Sequence, residues 1–394
     1  MAGRGHAVVA RMLLRLAPDG RLRKGTPAPP PMHRSRLPFV AVPIALCVVI
    51  GCSHQAEVRR DGGARYWPAL PEQPRFVHGA TLRDGESLRP EGEADKLRRI
   101  ATGVAAAVDA PRKPLAVAAA HGRVYVTDTE ARRVFVFDLA RRRSFAFGVR
   151  LQGELVKPAG IAVDARGDVY VVDAGARRLL VYDALGLHKK TIEGGRDWVR
   201  PTGVAVDASG EAIYVVDTGG IDSDAHRVHA YDADGRRRFV LGRRGAAPGE
   251  FNLPVDAAVA PDGTLYVLDA GNFRVQVFDR DGRWLRAFGA AGNGFGQFAR
   301  PRGIAADRSG LVYVADASFG NVQVFDTQGR LLVALGERAA ADAPAGFALP
   351  AGVAVDEAGR VYVVDQFFRK VEVLRRLSDE EGRRVVDARA AVRP

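Results

Sequence analysis

Aspartates recur along this chain of 394 residues at positions where a carboxylate could act as a general base, bind a cation or form an ion pair. Six of them end segments of the type VYVVD, and five of the segments that follow open with a basic residue. The aspartates are Asp128, Asp173, Asp217, Asp269, Asp316 and Asp365, and the opening residues are Arg133, Arg178, Arg227, Arg274, Asn321 and Lys370. An active site has one constellation rather than six. We therefore predict that these carboxylates accept backbone N–H groups in tight loops and pair with the basic residues.

One copy of this pattern carries additional acidic residues. Its loop, TGGIDSDAHRV, adds Asp222, Asp224 and His226 beside Asp217. Carboxylates suit hard cations, so a metal site is one interpretation. A solvated insertion is the other, and it is favoured because the spacing matches no known cation loop. Asp256, which stands where other copies have glycine, is a further candidate metal ligand.

Basic and aromatic residues form two candidate sets for binding a partner. The residue directly before the first strand of a copy is basic in four copies, as Lys113, Lys157, Arg200 and Arg300, and is Leu253 or Leu349 in the other two. Arg302, the second residue of a first strand, is added to this basic set. They form either a basic rim for an anionic ligand or acidic partner, or ordinary solvated charge. Aromatic residues that follow the aspartates are Phe273, Phe319, Phe367 and Phe368. They form either an exposed interaction patch or wedges between neighbouring units.

The elements that position these residues are sequence repeats. The tyrosine of the VYVVD-type segment falls at Tyr125, Tyr170, Tyr214, Tyr266, Tyr313 and Tyr362, with spacings of 45, 44, 52, 47 and 49 residues. Each unit reads as a short apolar strand, the β-branched VYVVD strand, an alternating strand and an outer strand interrupted by charge. Such a period is typical of β-propellers. We predict an all-β fold of six four-stranded blades, with the candidate residues gathered on one face.

A family resemblance rests on a second motif. Three units carry it before their first strand, as Gly249-Glu250-Phe251…Pro254, Gly296-Gln297-Phe298…Pro301 and, one residue shorter, Gly346-Phe347…Pro350. With this motif the units resemble NHL repeats over residues 114–374, and the resemblance implies a six-bladed propeller without implying a function. The sixth unit stops after its third strand, and residues from Pro74 resemble the outer strands. We predict that a strand near residues 75–79 closes the ring, so that residues 75–377 form the propeller and residues 378–394 a charged tail.

The formal net charge of +12 suggests nucleic-acid binding, but residues 1–52 hold eight basic residues and one acidic residue and thus most of the excess. Two arginines there precede a 14-residue apolar run, which has the length of a signal-peptide core and is short for a membrane span. The sequence Val49-Ile50-Gly51-Cys52 that ends this leader resembles a bacterial lipobox. The resemblance implies a lipid on Cys52 after removal of residues 1–51. A short uncleaved anchor or a chance cysteine is the alternative.

Three further expectations follow from the leader. Translation is predicted to start at Met32, because the leader from there has a conventional length. Residues 52–74 are polar and contain proline, so they read as a tether. An aspartate directly after the lipidated cysteine commonly retains lipoproteins at the inner membrane. This chain has Ser53 at that position, which favours a location at the outer membrane facing the periplasm.

Catalytic patterns are weak in the repeats. Peptide-amidating lyases share this repeat and bind zinc through histidines of several blades, whereas the histidines here are His121, His188, His226 and His229, two of which share a strand. Gluconolactonase-type enzymes use carboxylate and amide ligands around a channel metal, and here Asp256 stands alone near that position. We predict a lipid-anchored, monomeric envelope module that binds a protein partner or other ligand through its loops, without catalysis, nucleic acid or cofactor. The alternative is a metal-dependent hydrolase or lyase with a divalent cation at the channel mouth.

Overall fold

Each unit of the repeat forms one antiparallel sheet, and six sheets surround a central axis. The computed structural model describes residues 64–88 and 110–392. Strands β1 (Tyr66–Trp67) and β2 (Phe76–Leu82) precede the repeats. The four repeat strands of a blade pair in the order of the sequence, which confirms the predicted all-β fold with six blades.

The strands of the first five blades have the following bounds. Blade one comprises β3 (Pro114–Ala120), β4 (Arg123–Asp128), β5 (Arg133–Asp138) and β6 (Arg143–Phe147). Blade two comprises β7 (Pro158–Val163), β8 (Val169–Asp173), β9 (Arg178–Tyr182) and β10 (His188–Glu193). Blade three comprises β11 (Pro201–Val206), β12 (Ile213–Asp217), β13 (Arg227–Tyr231) and β14 (Arg237–Leu241). Blade four comprises β15 (Pro254–Val259), β16 (Leu265–Asp269), β17 (Arg274–Phe278) and β18 (Trp284–Phe288). Blade five comprises β19 (Pro301–Ala306), β20 (Val312–Asp316), β21 (Asn321–Phe325) and β22 (Leu331–Leu335).

Blade six is assembled from both ends of the described chain. A short parallel pairing of β23 (Glu337–Arg338) with β24 (Gly346–Phe347) leads into it. It comprises β25 (Pro350–Val355), β26 (Arg360–Asp365), β27 (Lys370–Arg376) and β2, with β1 paired to the outer side of β2. The pairing of β2 with β27 confirms the predicted closing strand and extends it to Leu82.

The hydrophobic cores lie between blades rather than within one blade. The VYVVD strand β8 is fully buried, whereas the outer strand β10 leaves its charged residues partly or fully exposed. One core cluster joins Tyr170 and Leu179 of blade two to Val204 and Ile213 of blade three. Strands covered on both sides are apolar on both faces, which explains the β-branched runs of the repeat.

The first strands contact one another around the axis, including β25 with β3. Their close approach demands small residues, because a Cβ added to Gly303 would lie 2.4 Å from the carbonyl oxygen of Ala351 in the next blade. This packing accounts for the Pro-x-Gly sequence that opens four of the six blades. Asp256 takes the place of that glycine in blade four.

A buried apolar residue stands three positions before each first strand, and in blades two to six it packs in the core between blades. These residues are Pro111, Leu155, Trp198, Phe251, Phe298 and Phe347. The phenylalanines belong to the motif on which the family resemblance rests. In blade four, Gln276 ties this motif to the third strand: its Oε1 accepts from Gly249 N at 2.9 Å and its Nε2 donates to Glu250 O at 2.6 Å. Gln323 makes the equivalent pair of bonds in blade five.

Buried ionic groups join the closing strand to blade six. Glu372 is fully buried, and its Oε2 lies 2.8 Å from both His78 Nε2 and Thr81 Oγ1 of β2. Its Oε1 lies 2.6 Å from the buried Lys370 Nζ, which also lies 3.0 Å from Asp342. Burial alone would raise the pKa of Glu372, but the bond from His78 and the charge of Lys370 hold this pKa below its ordinary value.

The two terminal segments are more structured than the sequence indicated. β1 forms from residues at the end of the segment assigned to a tether, and the charged tail contains helix α1 (Asp379–Val392). Ser378 and Glu381 form a capping box at its start: Glu381 N donates to Ser378 Oγ at 3.2 Å, and Ser378 N donates to Glu381 Oε2 at 2.8 Å. The predicted signal peptide and Cys52 lie outside the described residues. In the described part of the chain, no helix is long and apolar enough to cross a membrane.

We expect Glu372→Gln to lower the free energy of unfolding by about 3 kcal/mol at pH 7, because Lys370 would stay buried without its closest anionic partner. The folded-state pKa of Glu372 lies below the unfolded value, so its stabilisation is present above pH of about 4.3 and is lost as the pH falls through the folded pKa. Urea unfolding at pH 7 and pH 3 checks this, since the difference from wild type should shrink at pH 3. Glu211→Gln, at an exposed position, should change stability by less than about 0.5 kcal/mol at both values. A Glu372→Gln loss that is equal at both pH values would contradict the assignment.

Candidate functional site

The candidate residues lie on one face of the ring, called here the loop face. It is formed by the segments that enter the first strands and by the loops between second and third strands. Pairing in blade four shows this arrangement: Pro254 at the start of β15 lies opposite Asp269 at the end of β16, and Asp269 lies opposite Arg274. The turns between first and second strands and between third and fourth strands form the opposite face.

The six recurrent aspartates hold the loop face together. All six are fully buried. Asp316 Oδ2 accepts from Ala299 N at 2.8 Å and from Arg300 N at 3.0 Å, and its Oδ1 accepts from Ser318 N at 2.8 Å and Phe319 N at 3.2 Å. One carboxylate thus fastens the entry segment of a blade to its own hairpin loop. The predicted structural role of these aspartates is confirmed.

The predicted ion pair across the hairpin varies between blades. It forms as Arg178–Asp173 at 3.5 Å and as Arg274–Asp269 at 2.8 Å. In blade six, Lys370 pairs with Glu372 of its own strand. Backbone donors therefore satisfy the aspartates more uniformly than the basic side chains do.

The inserted loop of blade three is fastened by His226, which is buried. Its Nδ1 accepts from Leu253 N at 3.2 Å, and its Nε2 donates to Gly220 O at 2.9 Å. Both ring nitrogens are thereby engaged with backbone groups. The sequence suggested this histidine as part of a cation site, and the structure gives it a role in loop packing.

The carboxylates of that loop do not assemble into a metal centre. Asp217 is buried and accepts from Val199 N at 2.8 Å and Arg200 N at 2.7 Å, whereas Asp222 and Asp224 are exposed. Within residues 64–88 and 110–392, no group of three or more His, Cys, Asp or Glu side chains is placed to hold a metal ion. Of the two interpretations of this loop, the solvated insertion describes the exposed carboxylates.

Asp256 is the acidic residue of the inner strands near the axis. Its Oδ2 accepts from Ile304 N of blade five at 3.3 Å. A Cβ added to Gly203 of blade three would lie 2.8 Å from its Oδ1, so only glycine leaves room for this carboxyl. The side chain keeps some solvent contact, but protein surrounds it closely enough that burial raises its pKa to about 7. A carboxyl that titrates near neutrality is suited to proton transfer.

The basic set divides into a rim and an inner residue. Lys113, Lys157, Arg200 and Arg300 are exposed, and within the described chain their side-chain nitrogens have no hydrogen bond or ion pair. Arg302 is half-buried in the first strand of blade five. Burial and the like charge of Arg300 lower the pKa of Arg302 below its ordinary value.

The aromatic set separates into packed and exposed residues. Phe273 packs against the core between blades four and five, as the wedge interpretation predicts, and Phe319 is half-buried. Phe367 is 65% exposed and meets the edge of Phe368 at 5.2 Å between ring centroids. Lys370 Nζ lies 5.2 Å from the centroid of the Phe368 ring, which anchors that ring. Among the four phenylalanines, Phe367 is the one that is mostly exposed.

Apart from Phe367, the exposed apolar residues of the loop face were missed from the sequence. Large apolar side chains that are exposed on its connections are Val149, Leu151, Val156, Val199, Ile221, Phe295 and Phe367. On the turns of the opposite face the corresponding residues are Leu185 and Leu187. The repeat gives no signal for most of the first set, because these residues lie in connections of irregular length between blades. The loop face therefore combines exposed apolar groups, cations without partners in the described chain and the exposed carboxylates of Asp222 and Asp224.

Comparison with known proteins supports the fold. The family model of the NHL repeat matches residues 251–278 and 298–325, which run from the buried phenylalanine through the third strand of blades four and five. No curated protein matches the sequence. The NHL signal is thus concentrated in the two blades in which Gln276 and Gln323 hold the Gly-x-Phe turn.

Several solved structures share the architecture at low identity. A streptogramin B lyase has a TM-score of 0.51 and 15% identity over 68% of this chain and 94% of that chain. A gluconolactonase from Xanthomonas campestris has a TM-score of 0.51 and 21% identity over 68% of this chain and 87% of that chain. A protein of unknown function from Bacteroides thetaiotaomicron has a TM-score of 0.53 and 18% identity over 68% and 71%, respectively. Likeness at this level concerns the fold, which hosts unrelated functions.

We expect Asp256→Asn to stabilise the protein at pH 8 by about 2 kcal/mol or more, because the pKa of about 7 in the folded state lies above the unfolded value of about 3.9. The wild type then loses stability as the pH rises from about 4 through 7, and the asparagine variant does not. Unfolding by urea between pH 4 and pH 8 measures the difference, which should vanish near pH 4. Asp262→Asn, in an exposed turn of the same blade, serves as the control and should show no such trend. Parallel pH profiles for wild type and Asp256→Asn would show that this carboxyl has an ordinary pKa.

Proposed function

We propose that this chain, a six-bladed β-propeller built from NHL repeats, is a non-catalytic binding module that presents its loop face to a protein partner. The observation that carries the proposal is the composition of that face, where exposed apolar side chains stand beside cations without partners in the described chain. Val156 and Val199, both exposed, directly precede Lys157 and Arg200. The two kinds of residue therefore occupy the same connections.

This composition matches a partner of defined chemistry. Exposed apolar groups that gather on one face mark interaction surfaces, because their removal from water favours association. The surrounding cations would speed encounter with an acidic surface and exclude basic ones. A protein that offers apolar side chains bordered by aspartate or glutamate fits both features. The buried aspartates already order the backbone of these loops. Binding of a partner would therefore cost less conformational entropy than binding by flexible loops.

The proposed location rests on the leader sequence. We propose that a lipid on Cys52 anchors the module in the outer membrane, where it faces the periplasm as a monomer and meets an envelope protein. The lipobox-like Val49-Ile50-Gly51-Cys52 and the polar residues that follow it support this placement. Mass spectrometry of the cell-derived protein tests it, because an unmodified thiol at Cys52 would exclude the anchor.

A metal-dependent hydrolase or lyase is the second candidate function, and Asp256 is the observation that favours it. Its carboxyl stands at an inner strand with a pKa near neutrality, where it could bind a cation or move a proton. Metal analysis of the purified full chain separates the two functions. A tightly held divalent ion that Asp256→Asn releases would favour the enzyme, and its absence would favour the binding module.

The binding proposal predicts a loss of partner capture when the rim is reversed. Lys113→Glu, Lys157→Glu and Arg200→Glu together should reduce affinity capture from the native envelope at least about tenfold, because three favourable charge contacts become repulsive. Phe367→Ser should reduce it further while the melting temperature stays within about 2 °C, since this side chain is 65% exposed. Cross-linking with quantitative mass spectrometry measures the captured protein.

Matched variants on the opposite face control for nonspecific effects. Arg142→Glu, Arg280→Glu and Arg308→Glu reverse three exposed cations in its turns, and Leu185→Ser removes an exposed apolar side chain there. Capture should be unchanged in both controls. Equal losses on the two faces, or a wild type that enriches no protein, would refute the proposed function.

A further inference from the structure

Arg302 occupies a position that is uncharged in every other blade. The second residues of the six first strands are Leu115, Ala159, Thr202, Val255, Arg302 and Ala351. These strands form the innermost layer of the ring and contact one another around the axis. In β19, Arg302 is half-buried while Pro301 before it and Gly303 after it are buried. Arg302 is therefore the residue of this strand segment that keeps contact with solvent.

The guanidinium of Arg302 has no counter-charge among residues 64–88 and 110–392. Within the described chain it makes no hydrogen bond or ion pair, and the charge that acts on it is the like charge of Arg300. Asp256 does not neutralise it, because that carboxyl faces Ile304 N at 3.3 Å and no ion pair joins the two residues. The Arg302 nitrogens keep contact with solvent. Because protein surrounds much of the side chain, a carboxylate that replaces this water would be bound more favourably than at a fully exposed arginine. The guanidinium is thus free to accept an anion from outside the described chain.

The neighbouring blades determine which anion fits. The corresponding positions of the two neighbouring blades hold Leu253 and Val255 in blade four and Leu349 and Ala351 in blade six. All four are apolar and at least partly buried. Such surroundings penalise a doubly charged phosphate, whose dehydration is far more costly than that of a single charge. A carboxylate satisfies the planar fork of a guanidinium through two parallel hydrogen bonds, and an apolar body attached to it would cover the leucines.

We propose that Arg302 is an anion-binding residue at the mouth of the channel, which takes a carboxylate carried on an apolar body. Arg300, exposed on the same blade, is the second cation of this subsite. The inference rests on the proposed function in that the carboxylate belongs to an apolar, acidic segment of the protein partner. A free carboxylic acid presents the same chemistry, and the choice of probes distinguishes the two sources.

Calorimetric titration of the full chain tests the subsite. The probes are phenylacetate, inorganic phosphate, and a peptide ending in Leu-Leu-Phe with either a free C-terminal carboxylate or a C-terminal amide. The free-carboxylate peptide should bind at least about tenfold more tightly than its amide, because only the carboxylate pairs with the guanidinium. Inorganic phosphate should bind more weakly than either carboxylate. Binding of the peptide without phenylacetate would identify a protein chain as the source, and the reverse would identify a small acid.

Substitutions locate the binding to one residue. Arg302→Gln should weaken carboxylate binding at least about tenfold and Arg300→Gln less, whereas Arg308→Gln, in an exposed turn of the opposite face of the same blade, should leave it unchanged. A second readout is the melting temperature without ligand. Arg302→Gln should melt at or above the wild-type temperature, because it removes a half-buried charge that has no partner in the described chain, and phenylacetate should stabilise the wild type but not this variant.

Two results would overturn the inference: no carboxylate binding to the wild type at millimolar concentration, or equal affinity in Arg302→Gln and Arg308→Gln. The outcome is separable from that of the proposed function. Carboxylate binding through Arg302 in a protein that captures no partner would refute the proposed function and keep this subsite. Partner capture that depends on Lys113, Lys157 and Arg200 but not on Arg302 would keep the proposed function and refute the subsite.

Discussion

Mutual burial of neighbouring blades is the constraint on which this molecule depends. A single blade has apolar side chains on both faces, and each core cluster unites residues of two blades, so no blade is covered until the ring is complete. The closing strand β2 is therefore an essential part of the core rather than an accessory. Its attachment through the buried Glu372, which contacts His78, Thr81 and Lys370, links residues almost 300 positions apart. Closure also removes the exposed sheet edges that a linear array of blades would present.

Ring geometry also creates the candidate site. Six entry segments and six hairpin loops converge on one face, and a buried aspartate in each blade fixes the two loops to each other. The backbone of the loop face is thus uniform, and its side chains are free to differ. Departures from the repeat, such as Asp256 in place of glycine and Arg302 in place of an uncharged residue, then alter chemistry without altering architecture. This separation of framework from surface allows one fold to host unrelated functions.

The pattern of burial distinguishes structural from accessible groups on that face. Aspartate, histidine and phenylalanine bind ligands in many proteins. Here Asp217 and His226 form hydrogen bonds with backbone groups, and Phe273 packs against the core. The groups left over are cations, apolar side chains and the exposed carboxylates of Asp222 and Asp224. Exposed apolar side chains and cations on one face are features that interaction surfaces share. Asp256 is the exception, since its carboxyl combines a raised pKa with a place near the axis.

Much of the architecture was determined by the sequence alone. The spacing of the VYVVD tyrosines predicted six blades, alternation within each unit predicted the strands, and the truncated last unit required an N-terminal strand to close the ring. The recurrence of the aspartates once per unit indicated a structural role. Such repetition can be recognised from the sequence without knowledge of the tertiary structure. The pattern Ser378-Asp379-Glu380-Glu381 is that of a capping box and predicts the start of α1. The high charge of residues 378–394 alone suggested an unstructured tail.

Only the tertiary structure decided which of several chemically equivalent side chains are packed or ion-paired and which are exposed. Trp198 takes the place of the motif phenylalanine in blade three, and Lys370 pairs with Glu372 rather than with the aspartate of its hairpin. Phe273 is packed while Phe367 is exposed, although both follow a recurrent aspartate. The physical reason is that local periodicity sets the direction of a strand side chain but not its partner. Partners are set by which loops meet across the ring, and those contacts join residues that the sequence places far apart.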